Sequence, residues 1–98
     1  MRTYRQIVQE IVKDPAEAAE YLTAALEEYE NDGNLPSFLT AIRTVVEAQG
    51  GIGKLADKTK LNRQHLYRSL SEKGNPTIRT LNLILQNIGV KLTIRKAS

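Results

Sequence analysis

The stretch from Ile52 to Ser71 constrains the fold of this chain more than any other, because its apolar residues repeat at helical spacing on both sides of a short turn. The repeating positions are Ile52, Leu55 and Ala56 before the turn, and Leu66 and Leu70 after it. Each set lies on one face of a helix, and such faces are buried when two helices cross and pack. The small side chain of Ala56 lets the two backbones approach. The stretch therefore predicts a helix-turn-helix.

The second helix of this pair is predicted to run from Asn62 to Leu70. Asn62 follows the turn Thr59-Lys60-Leu61 and is suited to capping the free N–H groups of the next helix. The helix then exposes residue types that hydrogen-bond base edges and phosphates. They are Arg63, Gln64, Tyr67 and Arg68.

In a helix-turn-helix the second helix lies in the major groove, and its N-terminal residues meet the base edges first. Asn62, Arg63 and Gln64 are therefore the leading candidates for reading bases. Arg63 suits a guanine and Gln64 an adenine, each through two hydrogen bonds. One turn further along, Tyr67 and Arg68 reach bases or the flanking phosphates.

Seven other polar residues stand at helix starts and in loops, where the DNA backbone would approach. They are Lys54, Lys58, Lys60, Lys73, Asn75, Thr77 and Arg79. Contacts of this kind position a protein on DNA without specifying sequence. Lys60 also stands where such a turn usually carries glycine, and a left-handed backbone there costs about 1 kcal/mol for any other residue.

The rest of the chain predicts an all-α fold of about five helices. Asp14-Pro15 is a strong start signal, with Asp14 as the cap and Glu17 able to complete a capping box, for a helix that ends near Glu30. Asn34 caps a helix to about Gln49, and Thr77 starts one that ends near Ile88. The helical spacing of Thr3 to Val12 predicts a short helix, although its β-branched residues leave a strand possible. In the last helix, Ile78, Leu81, Ile84, Leu85 and Ile88 share the face expected to be buried, and Leu83 lies nearly opposite.

The segment Val90 to Arg95 alternates apolar and polar residues strictly, which predicts a short C-terminal β-strand. A single strand must pair with an edge. The candidate edges are the same strand of a second subunit, the N-terminal segment, or a sheet of a partner protein. We expect this strand to take part in assembly.

The distribution of charge divides the chain in two. Residues 1–35 hold three basic and eight acidic residues, and residues 36–98 hold eleven basic and three acidic residues. A basic region attracts the phosphate backbone, whereas an acidic region suits a basic protein. We therefore expect an N-terminal acidic helical arm over 1–34 and a helix-turn-helix domain with its strand over 35–98, in one compact unit. The alternative is that the acidic residues form an ordinary solvated face.

Other function classes are poorly supported. There is no cysteine and no apolar run that could span a membrane, so we expect a cytoplasmic protein without disulfides. The single histidine, His65, has no partner at catalytic or metal-ligand spacing. The sequence Gly50-Gly51-Ile52-Gly53-Lys54 lacks the spacing of a P-loop and is better explained as the end of one helix and the start of another. We expect neither a catalytic site nor a metal or cofactor.

Three segments carry a resemblance to a known family: DPAEAAEYLTAAL, LADKTKL and LYRSLSEKGNPTIRTL. They resemble the HigA-like helix-turn-helix antitoxins, the antidote proteins of addiction modules, and the resemblance extends from Asp14 to Leu92. It implies a bacterial antitoxin that neutralises a small basic toxin of the RelE/HigB-like class and binds the operator of its own operon as a dimer. The DNA-reading positions implied by the resemblance are Asn62, Arg63, Gln64, Tyr67 and Arg68.

The surface that faces the toxin is assigned from charge rather than from a motif. The candidates are Glu17, Glu20, Glu27 and Glu28. Two other functions stay open at this point. One is a stand-alone helix-turn-helix transcriptional repressor without a toxin partner, and the other is a protein-interaction module whose helix pair has lost DNA binding.

Overall fold

The computed structural model describes all 98 residues and contains six α-helices and no β-strand. The helices are α1 (Tyr4–Ile11), α2 (Pro15–Asp32), α3 (Leu35–Ala48), α4 (Gly51–Thr59), α5 (Arg63–Ser69) and α6 (Ile78–Asn87). The prediction of an all-α fold is confirmed, and the helices number six rather than about five. The short helix predicted within Thr3 to Val12 forms as α1. None of the six has the length and apolar character that a membrane crossing requires.

Side-chain caps fix where most of these helices begin. The Asp14 side chain accepts from the N–H of Ala16, and Pro15 occupies the first helical position of α2. The Asn34 side chain accepts from the N–H of Ser37 at 3.2 Å and begins α3. These starts agree with the sequence prediction.

The capping box expected at α2 does not form. The backbone N–H of Asp14, which Glu17 would have had to bind, instead donates to the carbonyl oxygen of Ile11 at 3.4 Å. A capping box is found at α1, where the Thr3 side chain and the Gln6 side chain each bind the other residue's backbone N–H. This box stabilises the start of α1, and packing of Val8 against the core holds the helix in place despite its β-branched residues.

A single apolar core holds the helices together, and α3 is its central element. Six residues of α3 are buried: Phe38, Leu39, Ala41, Ile42, Val45 and Val46. Helices α1, α2 and α4 all pack on α3, and α6 packs on α4. The N-terminal region contributes Val12, Ala18 and Leu22 to the same core. The acidic helix α2 is therefore anchored by burial of its inner face.

Two expectations about α6 are wrong. Ile78, predicted to be buried, is 69% exposed, because α6 begins beyond the edge of the core and only its second half is covered. Ile84, Leu85 and Ile88 are buried as predicted. Leu83, predicted to be exposed, is half-buried.

The predicted C-terminal β-strand does not form. Residues 90–98 have neither helix nor strand structure. The N–H of Val90 donates to the carbonyl oxygen of Leu85, and no backbone hydrogen bond involves any later residue. The physical reason is that a strand requires a paired edge, and a single chain of helices offers none. Val90 and Leu92 nevertheless pack against the core.

Candidate nucleic-acid interface

Helices α4 and α5 pack against each other across a turn of three residues, Lys60 to Asn62. Lys60 has φ 62° and ψ 18°, the left-handed conformation expected at this position, and its N–H donates to the carbonyl oxygen of Ala56 at 2.9 Å. The hydroxyl of Thr59 accepts from the N–H of Leu61. The turn is therefore hydrogen-bonded on both sides although it lacks glycine.

The cap of α5 is provided by Asn62. Its Oδ1 accepts from the backbone N–H groups of Gln64 at 2.7 Å and His65 at 3.2 Å. These bonds satisfy two of the N–H groups that every helix leaves free at its start. The side-chain oxygen of Asn62 is thus engaged within the protein, and its side-chain amide nitrogen is free to bind a ligand.

The buried side of α5 determines which side chains point away from the protein. Leu66, Ser69 and Leu70 are buried, and successive residues of an α-helix are rotated by about 100°. Gln64 and Arg68 lie opposite these three residues and are exposed. They form the outermost part of α5, which we call the outer face of α5.

Arg63 and Tyr67 lie together on one flank of α5, and each contacts a different helix. The guanidinium of Arg63 lies over Gly53 of α4, where a Cβ atom added to the glycine would come within 2.9 Å of it. The guanidinium of Arg43 in α3 lies 5.4 Å from the centre of the Tyr67 ring. A cation at this distance attracts the ring and restricts its motion.

Arg43 also belongs to this region, although it is not among the residues predicted for the site. Its Nε donates to Glu47 at 3.1 Å, and Glu47 also accepts from Arg5 of α1 at 2.6 Å. Arg5, Glu47 and Arg43 therefore connect α1 to Tyr67 on the flank of α5. No local signal could have identified this contact, because Arg43 and Tyr67 are 24 positions apart in the chain.

The seven residues predicted to contact the DNA backbone are all exposed. Two of them lie apart from the flank of α5 that carries Arg63. Lys54 and Lys58 line a shallow recess with Asn87 and Ile88, at the C-terminal end of α6, on a different side of α4 from Gly53. The hydroxyl of Thr77 accepts from the N–H of Thr80 at 3.1 Å and caps α6, which engages that oxygen in a structural role.

The loop between α5 and α6 is held close to α5 by Gly74. A Cβ atom at Gly74 would lie 2.3 Å from the carbonyl oxygen of Ser69 and 2.8 Å from that of Arg68. These contacts are to backbone atoms, so no larger residue fits without a shift of the chain. Gly74 thereby brings Lys73 and Asn75 next to the C-terminal end of α5.

The positive charges around α5 are not neutralised by the protein itself. The three ion pairs of the structure are Arg2–Glu10, Arg5–Glu47 and Arg43–Glu47. None of the predicted DNA-contacting lysines and arginines takes part in an ion pair. Unpaired exposed cations of this kind attract a polyanion.

The outer side of α2 has the opposite charge. Glu20 and Glu27 lie on the side of α2 opposite its buried residues. Glu17 and Glu28 lie on one flank of the helix, and all four carboxylates are exposed. None of them forms an ion pair. We call these four residues the acidic face of α2.

His65 is exposed on the flank of α5 opposite Arg63, and no cluster of carboxylate and imidazole groups is placed to hold a metal ion. The fold and surfaces thus define a small all-α protein with a basic short helix and a separate acidic helix.

Comparison with protein families identifies the chain further. Residues 5–96 match the model of the family described as "Probable addiction module antidote protein". The chain belongs to this family, which confirms the resemblance recognised in the sequence. Neither a curated protein nor a solved structure gives a match.

Proposed function

We propose that this protein is the antitoxin of a type II toxin–antitoxin module, and that it both neutralises a RelE/HigB-like toxin and represses its own operon. The observation that carries the DNA-binding part is the outer face of α5. Gln64 and Arg68 are exposed there, opposite the buried Leu66 and Leu70, on a helix held by α4. Their side chains are free to enter the major groove of operator DNA.

In this proposal α5 reads the DNA sequence and the surrounding cations fix its position. Gln64, Arg68 and the more flanking Arg63 bind base edges, and Tyr67 contacts a base or phosphate with its ring held by Arg43. Lys60, Lys73 and Arg79 are exposed near the ends of the helices and bind phosphates. A dimer would bind two half-sites about one helical turn apart.

The acidic face of α2 is proposed to bind the toxin. Exposed carboxylates without cationic partners attract a basic protein and increase its rate of association. Inhibition then requires no catalysis, because a folded surface that covers the toxin's active site is sufficient. Residues 1–34 would serve mainly the toxin, and residues 35–98 mainly DNA, within a cytoplasmic protein.

The DNA-binding part is tested with the double variant Arg63→Ala/Gln64→Ala. Fluorescence anisotropy would measure its affinity for DNA from upstream of its own gene and for a scrambled duplex. Each lost pair of base contacts removes roughly 1–3 kcal/mol of discrimination, so preference for the upstream DNA should largely disappear. His65→Ala, an exposed residue on the other flank of α5, is the matched control and should keep the preference. Full preference in the double variant would reject these residues as base readers.

The toxin-binding part is tested by co-expression with the neighbouring gene and sizing of the purified protein. A stable complex with a small basic protein supports the antitoxin function. Sequence-specific DNA binding without any such complex would instead identify a stand-alone repressor. A protein that binds the neighbour but shows no salt-dependent DNA binding would be an interaction module that has lost its DNA function.

A further inference from the structure

The C-terminal segment 90–98, which we call the tail, has free hydrogen-bonding groups along its whole backbone. After the bond from the N–H of Val90 to Leu85, no backbone group of the tail is paired within the chain. Val90 and Leu92 are half-buried against the core, whereas Ile94, the next residue on the same side of an alternating segment, is 97% exposed. The tail is thus partly seated, with an apolar side that its own chain does not cover completely.

A groove of about 980 Å³ separates the tail from α2. One wall is the tail itself. The other wall contains Leu22, Leu26, Phe38 and Leu85, together with the exposed carboxylates of Glu27 and Glu30. The groove therefore combines an apolar floor with an acidic rim, and it borders an unpaired backbone edge.

We propose that the tail of a second copy of this chain pairs with this edge, so that two tails form an antiparallel β-ribbon and hold a dimer together. The sequence of the tail is suited to pairing with itself when Leu92 lies opposite Leu92. In that register Val90 lies opposite Ile94, so every apolar residue falls on one side of the ribbon. Lys91 lies opposite Thr93 and Arg95 opposite Gly89, so no two like charges are directly opposed.

The charges of the tail favour a second copy of the chain as the occupant. The tail carries Lys91, Arg95 and Lys96 and no acidic residue. Its basic end would be repelled by a basic toxin. In the antiparallel register, Arg95 of one copy lies opposite Gly89 of the other and Lys96 extends past it. The groove beside this edge carries the exposed carboxylates of Glu27 and Glu30, neither of which has an ion-pair partner, so it attracts a basic tail.

This inference locates the interface of the dimer that the proposed function requires. The test of this interface is independent of DNA binding, because assembly is measured on the protein alone. Two-fold pairing of the tails is also the symmetry that two DNA half-sites would need.

The interface is tested with full-length Ile94→Glu in sedimentation equilibrium. Ile94 is almost fully exposed in the single chain, so the substitution should leave the helical fold unchanged, which far-UV circular dichroism would check. We expect the wild type to be a dimer and the variant to dissociate at least roughly tenfold more readily, because a charge replaces an apolar group buried in both copies. The matched control is Ile78→Glu, an exposed isoleucine of α6 outside the tail, which should dimerise as the wild type does.

The register is tested with single cysteines, which is straightforward because the chain has no cysteine of its own. Leu92→Cys places two thiols opposite each other across the ribbon and should form a covalent dimer under mild oxidation. Ile94→Cys should react much more slowly, because its twin lies four residues further along the partner strand, roughly 13 Å away.

Several results would overturn the proposal. One is a monomeric wild type, including one that gains mass only when the toxin is added. A second is a dimer that Ile94→Glu does not weaken. Dissociation by Ile7→Glu instead would place the interface on α1. Faster cross-linking at position 94 than at position 92 would reject the proposed register.

Discussion

The outer face of α5 and the acidic face of α2 are built in the same way and differ in charge. Each helix is capped at its start by a side chain, Asn62 or Asp14, and each buries an apolar side in the same core. Each presents unpaired charged groups to solvent on its opposite side. On α5 the charged group is Arg68, with Arg63 on the adjoining flank, and on α2 the groups are carboxylates.

In the proposed function, this difference lets a chain of 98 residues provide two binding surfaces without a second core. The core fixes both helices, and the charge of each outer side would select the class of partner. A polyanion is attracted to α5 and repelled by α2, and a basic protein is affected in the opposite sense. The two surfaces should therefore respond separately to substitution.

The largest difference between the two surfaces is expected for the double variant Glu20→Lys/Glu28→Lys, whose residues both lie outside the groove beside the tail. Both residues are exposed on the acidic face of α2, so the fold should be retained. Reversing two charges at an interface with a basic protein should weaken toxin binding by roughly 100-fold, at about 1.4 kcal/mol for each residue. Isothermal titration calorimetry would measure this loss, and anisotropy should show no loss of affinity for DNA.

The control for this variant is Glu72→Lys, which reverses an exposed acidic residue outside α2. It should bind the toxin as the wild type does. Equal losses of toxin affinity in both variants would mean that α2 is not the toxin surface and that only net charge matters.

A substitution in the loop after α5 should damage both surfaces together. In Gly74→Ala the new methyl group meets backbone atoms of Ser69 and Arg68, which cannot move independently of α5. Overpacking of this kind lowers the free energy of unfolding by roughly 1–3 kcal/mol. Thermal denaturation followed by circular dichroism would measure it.

Gly53→Ala is the matched control, because the same methyl group there meets only the mobile end of the Arg63 side chain. Alanine also favours a helix over glycine by about 1 kcal/mol, so this variant should be as stable as the wild type or more so. If Gly74→Ala were equally stable, the loop would not be held to α5 in the way described.

The smallest expected effect is at the turn between α4 and α5, and it has opposite signs for stability and for DNA binding. Lys60→Gly removes a side chain from a left-handed position and should raise the free energy of unfolding by up to about 1 kcal/mol. It also removes one proposed phosphate contact, which should reduce the slope of log affinity against log salt by about 1. Chemical denaturation and a salt titration of DNA binding would test the two effects. A lower free energy of unfolding in Lys60→Gly than in the wild type would contradict the backbone strain assigned to Lys60.

Much of the fold could be predicted because its signals are local. Asn62, Asp14 and Asn34 cap the helices that follow them, and the spacing of Leu66 and Leu70 correctly indicated the buried side of α5. These features depend on residues within one or two turns of each other.

The errors concern features that depend on distant parts of the chain. Periodicity placed Ile78 on the inner side of α6 but could not show that this end of the helix extends beyond the core. Alternation in the tail indicated a strand, but a strand also needs an edge that one copy of the chain does not provide. The contact of Arg43 with Tyr67 joins two helices that are far apart in sequence.

The most direct test of the account is the salt dependence of binding between the wild-type protein and DNA from upstream of its own gene. Each phosphate neutralised by a lysine or arginine contributes about −0.9 to the slope of log affinity against log salt. Engagement of several of the exposed cations predicts a slope of roughly −3 or steeper for each copy bound, with tighter binding to the upstream DNA than to a scrambled duplex. A slope near zero, or equal affinity for the two duplexes, would contradict the claim that α5 reads DNA.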